Sequence, residues 1–480
     1  MSSPDPAAEK RARFVLARIP ALKPAAMPTF PGWRTALGPG IVWMALAQGS
    51  GELIWWPYLV AKYGLGFLFL LIPACFLQYP LNFQIGHYTA MTGESIWQGF
   101  VRLNRTFAII LWVLMGISFL WFGAFAAAGG TALSAMTDFP GGLSPRSQSL
   151  FWGYLSIAVF FVALRFSQGI YRLIERIMFA VAAVTLIGLL AACAHPGVRQ
   201  HIPAFSEALL WPQWPADRPW QAEDATKLLT AVTFAGLGGF WTLFYSYWLR
   251  EKGVGMSARY LAEPGQLEGW TIPGGTRPGQ PLKQWRRFLW VDSGIGVVGN
   301  LFTTLMTCLL AYALLFPEGT LPEKYQLAVV QARFFEVQWG VFGRMLFLFV
   351  AAAFLADTWL TTIDAVCRIN TDMLLQLFPA SRGKDRKYWY RKFLYLFTAI
   401  TLVTMLLDAP GRLIQFSAVV GFAGTVVFSG AVLILNHRRL PLLGHPENAP
   451  GRAAGVGLGM ACCVYFALAV GYIGVQLDLW

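Results

Sequence analysis

Two glycine-rich interruptions of apolar sequence hold the residues best suited to chemistry. The first is Gln48-Gly49-Ser50-Gly51-Glu52, set between apolar runs from Ile41 to Ala47 and from Leu53 to Val60. The second is Ala235-Gly236-Leu237-Gly238-Gly239. A carboxylate at mid-depth in a bilayer is costly, so Glu52 reads as a functional group and a candidate metal or cation ligand. A desolvated carboxylate prefers its neutral form and a bound cation its charged form, so one residue can exchange a proton for a cation. Each glycine costs up to about 1 kcal/mol against alanine inside a helix. Three of them at Gly236, Gly238 and Gly239 argue for an unwound stretch whose amides and carbonyls line a gap. A third group, Asp357, Thr361, Asp364 and Arg368, recurs at helical spacing and shares one face. Asp364 and Arg368 are expected to pair. For Asp357, a cavity-facing role and satisfied packing both stay open.

Buried polar groups of this kind need a membrane frame, and the composition supplies one. Hydrophobic residues make up 56% of the chain and charged residues 13%, about half the charge of a soluble domain. Mean hydropathy is +0.53. The 20 tryptophans suit interfacial belts. All six cysteines lie in apolar segments without a C-x-x-C pair, so they read as small hydrophobes rather than disulfides or a zinc site. No cofactor is expected. Residues 1–35 are basic and Pro/Ala-rich without a separate apolar core, so the first span is expected to direct membrane insertion.

A span needs about 20 apolar residues. Eleven candidates follow: 36–62, 64–88, 106–130, 149–167, 170–194, 225–249, 288–316, 341–366, 390–408, 411–436 and 453–477. Of the 37 Lys and Arg residues, 28 fall in the N-terminal tail and the loops after even-numbered spans. That bias predicts an inner or plasma membrane protein with a cytoplasmic N-terminus and an external C-terminus. It also argues against nucleic acid as a partner, because the cations are spread as a topology signal. The expected organisation is a cytoplasmic tail (1–35), a first five-span unit (36–194), an extracellular loop (195–224), a second five-span unit (225–436), and a cytoplasmic loop with the eleventh span (437–480). An odd number of spans per unit inverts the second copy. Interrupted helices at matching places in two inverted halves point to a midplane binding site.

Gly38-Pro39-Gly40, Tyr63-Gly64 and His87-Tyr88-Thr89-Ala90-Met91-Thr92-Gly93-Glu94 together resemble the Nramp family (natural resistance-associated macrophage proteins). The resemblance is strong over residues 36–100, moderate around the sixth span and Val291-Asp292, and vague beyond. It implies an all-α integral membrane protein with a LeuT-type 5+5 inverted repeat, broken helices 1 and 6, and one extra C-terminal helix. It also implies proton-coupled divalent-metal transport. The family's helix-1 metal motif, Asp-Pro-Gly-Asn, aligns with Gly49-Ser50-Gly51-Glu52, which replaces the Asp ligand by glycine and the Asn ligand by Glu52. The helix-6 motif, Met-Pro-His, aligns with Gly238, Gly239 and Phe240, and a second family histidine with Tyr245. A soft methionine sulfur favours transition metals, and Gly238 supplies none.

The expected substrate- or ion-binding set is therefore Gly49, Ser50, Gly51, Glu52, Ala235, Gly236, Gly238, Gly239, Phe240, Tyr245 and Asp357. The expected function is a secondary active transporter of the Nramp type, moving a divalent or other cation with proton linkage and altered selectivity. A transporter of a small organic solute, an amino acid or amine, stays open, as does a non-transporting membrane sensor. The partners are then a small cation or small molecule, protons and the lipid bilayer. No nucleotide-binding loop, catalytic triad or metalloprotease motif occurs, so no enzyme is expected.

Overall fold

A computed structural model describes residues 20–48, 53–166, 168–215, 218–262, 269–273, 279–322, 325–443 and 446–477, with side chains described outside 166–179. The first expected span is two helices, α1 (Pro39–Ala47) and α2 (Trp55–Tyr63). Then come α3 (Leu71–Thr92), α4 (Arg105–Ser118), α5 (Gly123–Thr137), α6 (Pro145–Phe166) and α7 (Gln168–Ala194). The sixth span is likewise split, into α8 (Ala225–Thr233) and α9 (Tyr245–Lys252). The remainder is α10 (Gly279–Leu310), α11 (Arg333–Leu377), α12 (Arg386–Thr404), α13 (Pro410–Ile434) and α14 (Arg452–Gln476). The run from Arg333 is bent at Gly340 (φ 57°, ψ −140°), so its membrane-crossing part starts at 341, where the sequence pattern puts it.

The protein is an all-α integral membrane protein. Among the described residues seven helices are long and apolar enough to cross a bilayer, or eight if the bent pair Ala180–Ala194 and Pro196–Leu210 is one span. The sixth span falls short by this measure because its helix is interrupted between Thr233 and Tyr245. The ninth falls short because α12 opens with Arg386, Lys387, Arg391 and Lys392.

Packing sorts the helices. α11 packs along α5, α7 and α12, while α10 packs on α1 and α3. α6 and α14 are peripheral: 22% of the most apolar window of each is buried, against 56% for α3, α10 and α13. Their outward Val159, Val162, Val456 and Phe466 suit acyl chains, which demand no polar partner. Small residues set close crossings. A Cβ on Gly40 would lie 2.0 Å from the Asp292 carbonyl, so only glycine lets α1 approach α10 there.

Lys and Arg concentrate at one end of the bundle, here termed the basic end. Residues 20–32 run across it as a strap. Its strand β1 (Lys23–Pro24) pairs in parallel with β2 (Trp270–Thr271). Arg102 donates to the Pro20 carbonyl at 2.8 Å and Trp285 to the Pro28 carbonyl at 2.9 Å.

Candidate functional site

The interruption of the sixth span starts where α8 stops at Thr233. Gly236 (φ 118°), Gly238 (φ 59°) and Gly239 (φ 53°) all adopt left-handed backbone. A Cβ on Gly238 would meet the Thr233 carbonyl at 1.6 Å, so that position admits glycine alone. A 3-10 turn over Gly239–Phe244 then leads into α9. Unwinding orphans backbone groups that must find partners when buried. Gln78 of α3 supplies them: its Nε2 donates to the Thr233 carbonyl at 3.0 Å, and its Oε1 accepts from the Gly238 amide at 3.1 Å. Gln78 therefore splices the two sides of the break.

In the first span, α1 ends at Ala47 and α2 begins at Trp55. Gly49, Ser50, Gly51 and Glu52 lie outside the described residues. Gln48 marks the near side. It is buried, and its Oε1 has no hydrogen-bond partner among the described residues. With Leu53 it borders a small space of about 20 Å³ shared with Thr185, Thr303, Thr304 and Thr307. That is room for about one water. The threonine hydroxyls donate to helix carbonyls in their own helices.

Two larger vestibules flank this level. One, of about 500 Å³, opens at the basic end between α1, α9 and α11. The other, of about 710 Å³, lies beyond the break and includes Trp55, Tyr58, Lys227 and Gln415. Because α1 borders the first and α2 the second, the link 48–54 lies between them in chain order.

Asp357, Thr361, Asp364 and Arg368 all line the basic-end vestibule, so the helical spacing placed them on the correct face. Thr361 donates to Asp357 at 3.5 Å. Arg368 pairs with Asp364 at 2.9 Å, as expected, and also with Glu251.

Phe240 and Tyr245 have other surroundings. The Phe240 ring lies against Gly424 of α13, where a Cβ would be 2.4 Å away, and 6.3 Å from the Trp97 ring. Tyr245 donates to Asp292 at 2.8 Å, and the Gly40 amide donates to the same carboxylate oxygen at 2.8 Å. Asp292 is fully buried inside α10 rather than a charge at a helix end. It satisfies the orphan amide at the start of α1 and favours the positive end of that helix. Among the described residues no group of three or more His, Cys, Asp or Glu is placed to hold a metal ion.

An ionic cluster sits at each end of the bundle. At the end opposite the basic one, Asp224 accepts from Lys62 at 2.6 Å, Lys227 at 2.9 Å and the Tyr63 hydroxyl at 2.6 Å. Burial alone would raise its carboxyl, but the bonds from Lys227, Lys62 and Tyr63 outweigh burial and hold it below the ordinary range. At the basic end, buried Asp372 binds Arg250 at 3.0 Å and also Arg386. Gln78, Asp224 and Asp372 escaped sequence reasoning, and Asp292 reads from the sequence as a charge at the start of a helix, which its burial corrects. For Gln78 the available signal was a glutamine in the middle of an apolar span.

No family model matches the chain. An uncharacterized protein of Pasteurella multocida (strain Pm70) is 22% identical over 407 residues, covering 82% of this chain and 83% of its own length. Among solved structures, a manganese transporter from Eremococcus coleocola matches with a TM-score of 0.64 at 14% identity, covering 95% of this chain and 90% of that one. MhsT in complex with L-phenylalanine matches with a TM-score of 0.56 at 13% identity, covering 94% and 99%. A nucleobase-cation-symport-1 family transporter, closed around bromovinylhydantoin, gives 0.52 at 13% identity, covering 94% and 96%. The fold is thus LeuT-type, as the resemblance implies.

Proposed function

We propose that this chain is a secondary active transporter carrying a small cation between two vestibules, past the broken helices, with protons as the coupling ion. The observation that carries the reading is the placement of α1 on one vestibule and α2 on the other. The link contains Gly49, Ser50, Gly51 and Glu52. In this reading their backbone groups and the Glu52 carboxylate form the site with the unwound stretch Ala235–Gly239. Asp357 is a second acidic group on the route from the basic end. That end faces the cytoplasm, as the charge bias supports. Glu52 alternates between proton and cation, because a permanently ionised carboxylate is costly in an empty, closed cavity.

Manganese and iron are poor substrates in this proposal. The slots that resemble metal ligands hold Gly49, Glu52 and Gly238, and the described residues offer no metal cluster. The second reading, an amine or zwitterion, needs more room than the space of about 20 Å³ beside Gln48, and the basic-end vestibule of about 500 Å³ has that room.

A thermal-shift screen of the purified protein against metals, amines and amino acids, followed by uptake in proteoliposomes, tests these readings. The expected result is a cation whose binding weakens as pH falls, with Glu52→Gln losing most uptake and flattening that pH profile. Stabilisation by amino acids alone would move the site to the organic reading. Saturable manganese uptake at micromolar concentration would overturn the selectivity, and no binding or uptake of any kind would favour a sensor.

A further inference from the structure

Apart from the two vestibules, a third cavity of about 580 Å³ opens at the basic end between α6, α9, α11 and α12. Six cations border it: Arg165, Arg250, Arg368, Arg386, Lys387 and Arg391. Two carboxylates, Glu251 and Asp372, oppose them, leaving an excess of four positive charges. Arg250 and Arg386 are committed to Asp372, and Arg368 to Glu251 and Asp364. Lys387 and Arg391 are exposed, and neither has an ion pair or hydrogen bond among the described residues. Arg250 also lies over the Tyr260 ring at 4.2 Å, which holds its guanidinium in place without consuming its charge.

A second cavity continues from the first along the outside of the bundle. It is a groove of about 600 Å³ between α6 and α12, bordered by Ile157, Ala158, Phe161, Tyr395, Ala399 and Leu402. The two meet at one contact. Arg165, on the wall of the basic cavity, donates to the Tyr395 hydroxyl at 2.7 Å, and the Tyr395 ring lies 5.6 Å from Phe161 in the groove. A strongly cationic chamber thus stands beside an apolar trough along the same two helices, with the Arg165–Tyr395 contact between them. Free phosphate would use the chamber and leave the trough unexplained. A molecule with an anionic phosphate head and an acyl chain fills both.

We infer that the space between α6 and α12 is a binding site for an anionic phospholipid, with the phosphate among Arg165, Lys387 and Arg391 and one acyl chain along Ala158 and Leu402. Basic pockets between membrane helices on the cytoplasmic side suit such headgroups. The site does not depend on what the vestibules carry, so its test is separate from that of the transport reading. Arg368 and Glu251 border both this cavity and the basic-end vestibule, which puts the lipid one side chain away from the route.

The test uses the full-length protein, delipidated in a non-ionic detergent. Thermal shift is titrated with phosphatidylglycerol, with phosphatidylcholine of the same chains, and with inorganic phosphate. The wild type should be stabilised by phosphatidylglycerol and not by the other two. Lys387→Gln with Arg391→Gln should weaken that binding roughly 30-fold, taking each surface cation as about seven-tenths of a tenfold step. Ala158→Trp, which fills the trough, should weaken it as well. Native mass spectrometry of the wild type gives a second readout that needs no variant: phosphatidylglycerol should be retained in preference to phosphatidylcholine. Equal stabilisation of the wild type and the double variant would overturn the site. Equal stabilisation by inorganic phosphate would make it a free-phosphate site, and equal retention of both lipids would remove the headgroup from the account.

Discussion

The two ends of the bundle carry ion-pair clusters of similar chemistry and different connectivity. Opposite the basic end, Asp224 joins Lys62, at the end of α2, to Lys227 of α8. Both are halves of interrupted helices, so the cluster ties one broken helix to the other. At the basic end, Asp372 of α11 holds Arg250 of α9 and Arg386 of α12. Here a broken helix is tied to continuous helices of the surround. A motion that carries the broken helices together leaves the Asp224 cluster intact and must part the Asp372 cluster. In this conformation the first behaves as an internal brace and the second as a latch.

The largest effect should come from the latch. Asp372 is 3% exposed at its side chain and Arg250 6%. Removing one partner of a buried pair leaves an uncompensated charge, which costs about 3 kcal/mol or more. Asp372→Asn should therefore lower the melting temperature markedly and raise amide hydrogen exchange in α9 while leaving α8 unchanged. Equal exchange increases in α8 and α9 would mean that the two ends are not mechanically distinct.

Gln78 sits between the ends and should couple them. It bonds the last carbonyl of α8 and an amide in the following turn, both buried. Gln78→Ala leaves two buried backbone groups without partners, at about 2 kcal/mol in total. Exchange should rise on both sides of the break, in α8 and α9 alike. A rise confined to one side would show that the turn is held by its glycines alone.

Much of this organisation was legible in single residues. The glycines at 236, 238 and 239 revealed the break because glycine is costly in a helix and needed where φ is positive. The face formed by Asp357, Thr361, Asp364 and Arg368 followed from helical spacing alone. What was not legible depends on partners far away in the chain. Asp292 reads as a helix-end charge until Gly40, 252 positions earlier, is seen donating to it. Tyr245 reads as a lining of the gap, but its hydroxyl is taken by Asp292, and Phe240 is taken by the space that Gly424 leaves. The sixth span resists a composition rule for a related reason: it keeps its apolar character and loses its length at the break.

The brace should give the smallest effect, with a distinctive pH signature. Lys62 and Lys227 are 15% and 24% exposed at their side chains, so solvent and salt screen part of the attraction to Asp224. Asp224→Asn keeps the shape and an acceptor for Tyr63, and should cost about 1 kcal/mol. Because the folded carboxyl is held below its ordinary value of about 3.9, its stabilisation is complete above that value. It is lost as pH falls through the lower folded value. The melting-temperature gap between wild type and Asp224→Asn should thus be flat from about pH 8 to about pH 5 and close only in stronger acid. The gap should also narrow in high salt, while exchange rises in α2 and α8 and not in α9. A gap that already closes between neutral pH and about pH 6 would show that a group other than Asp224 governs this end, and the contrast between brace and latch would then fail.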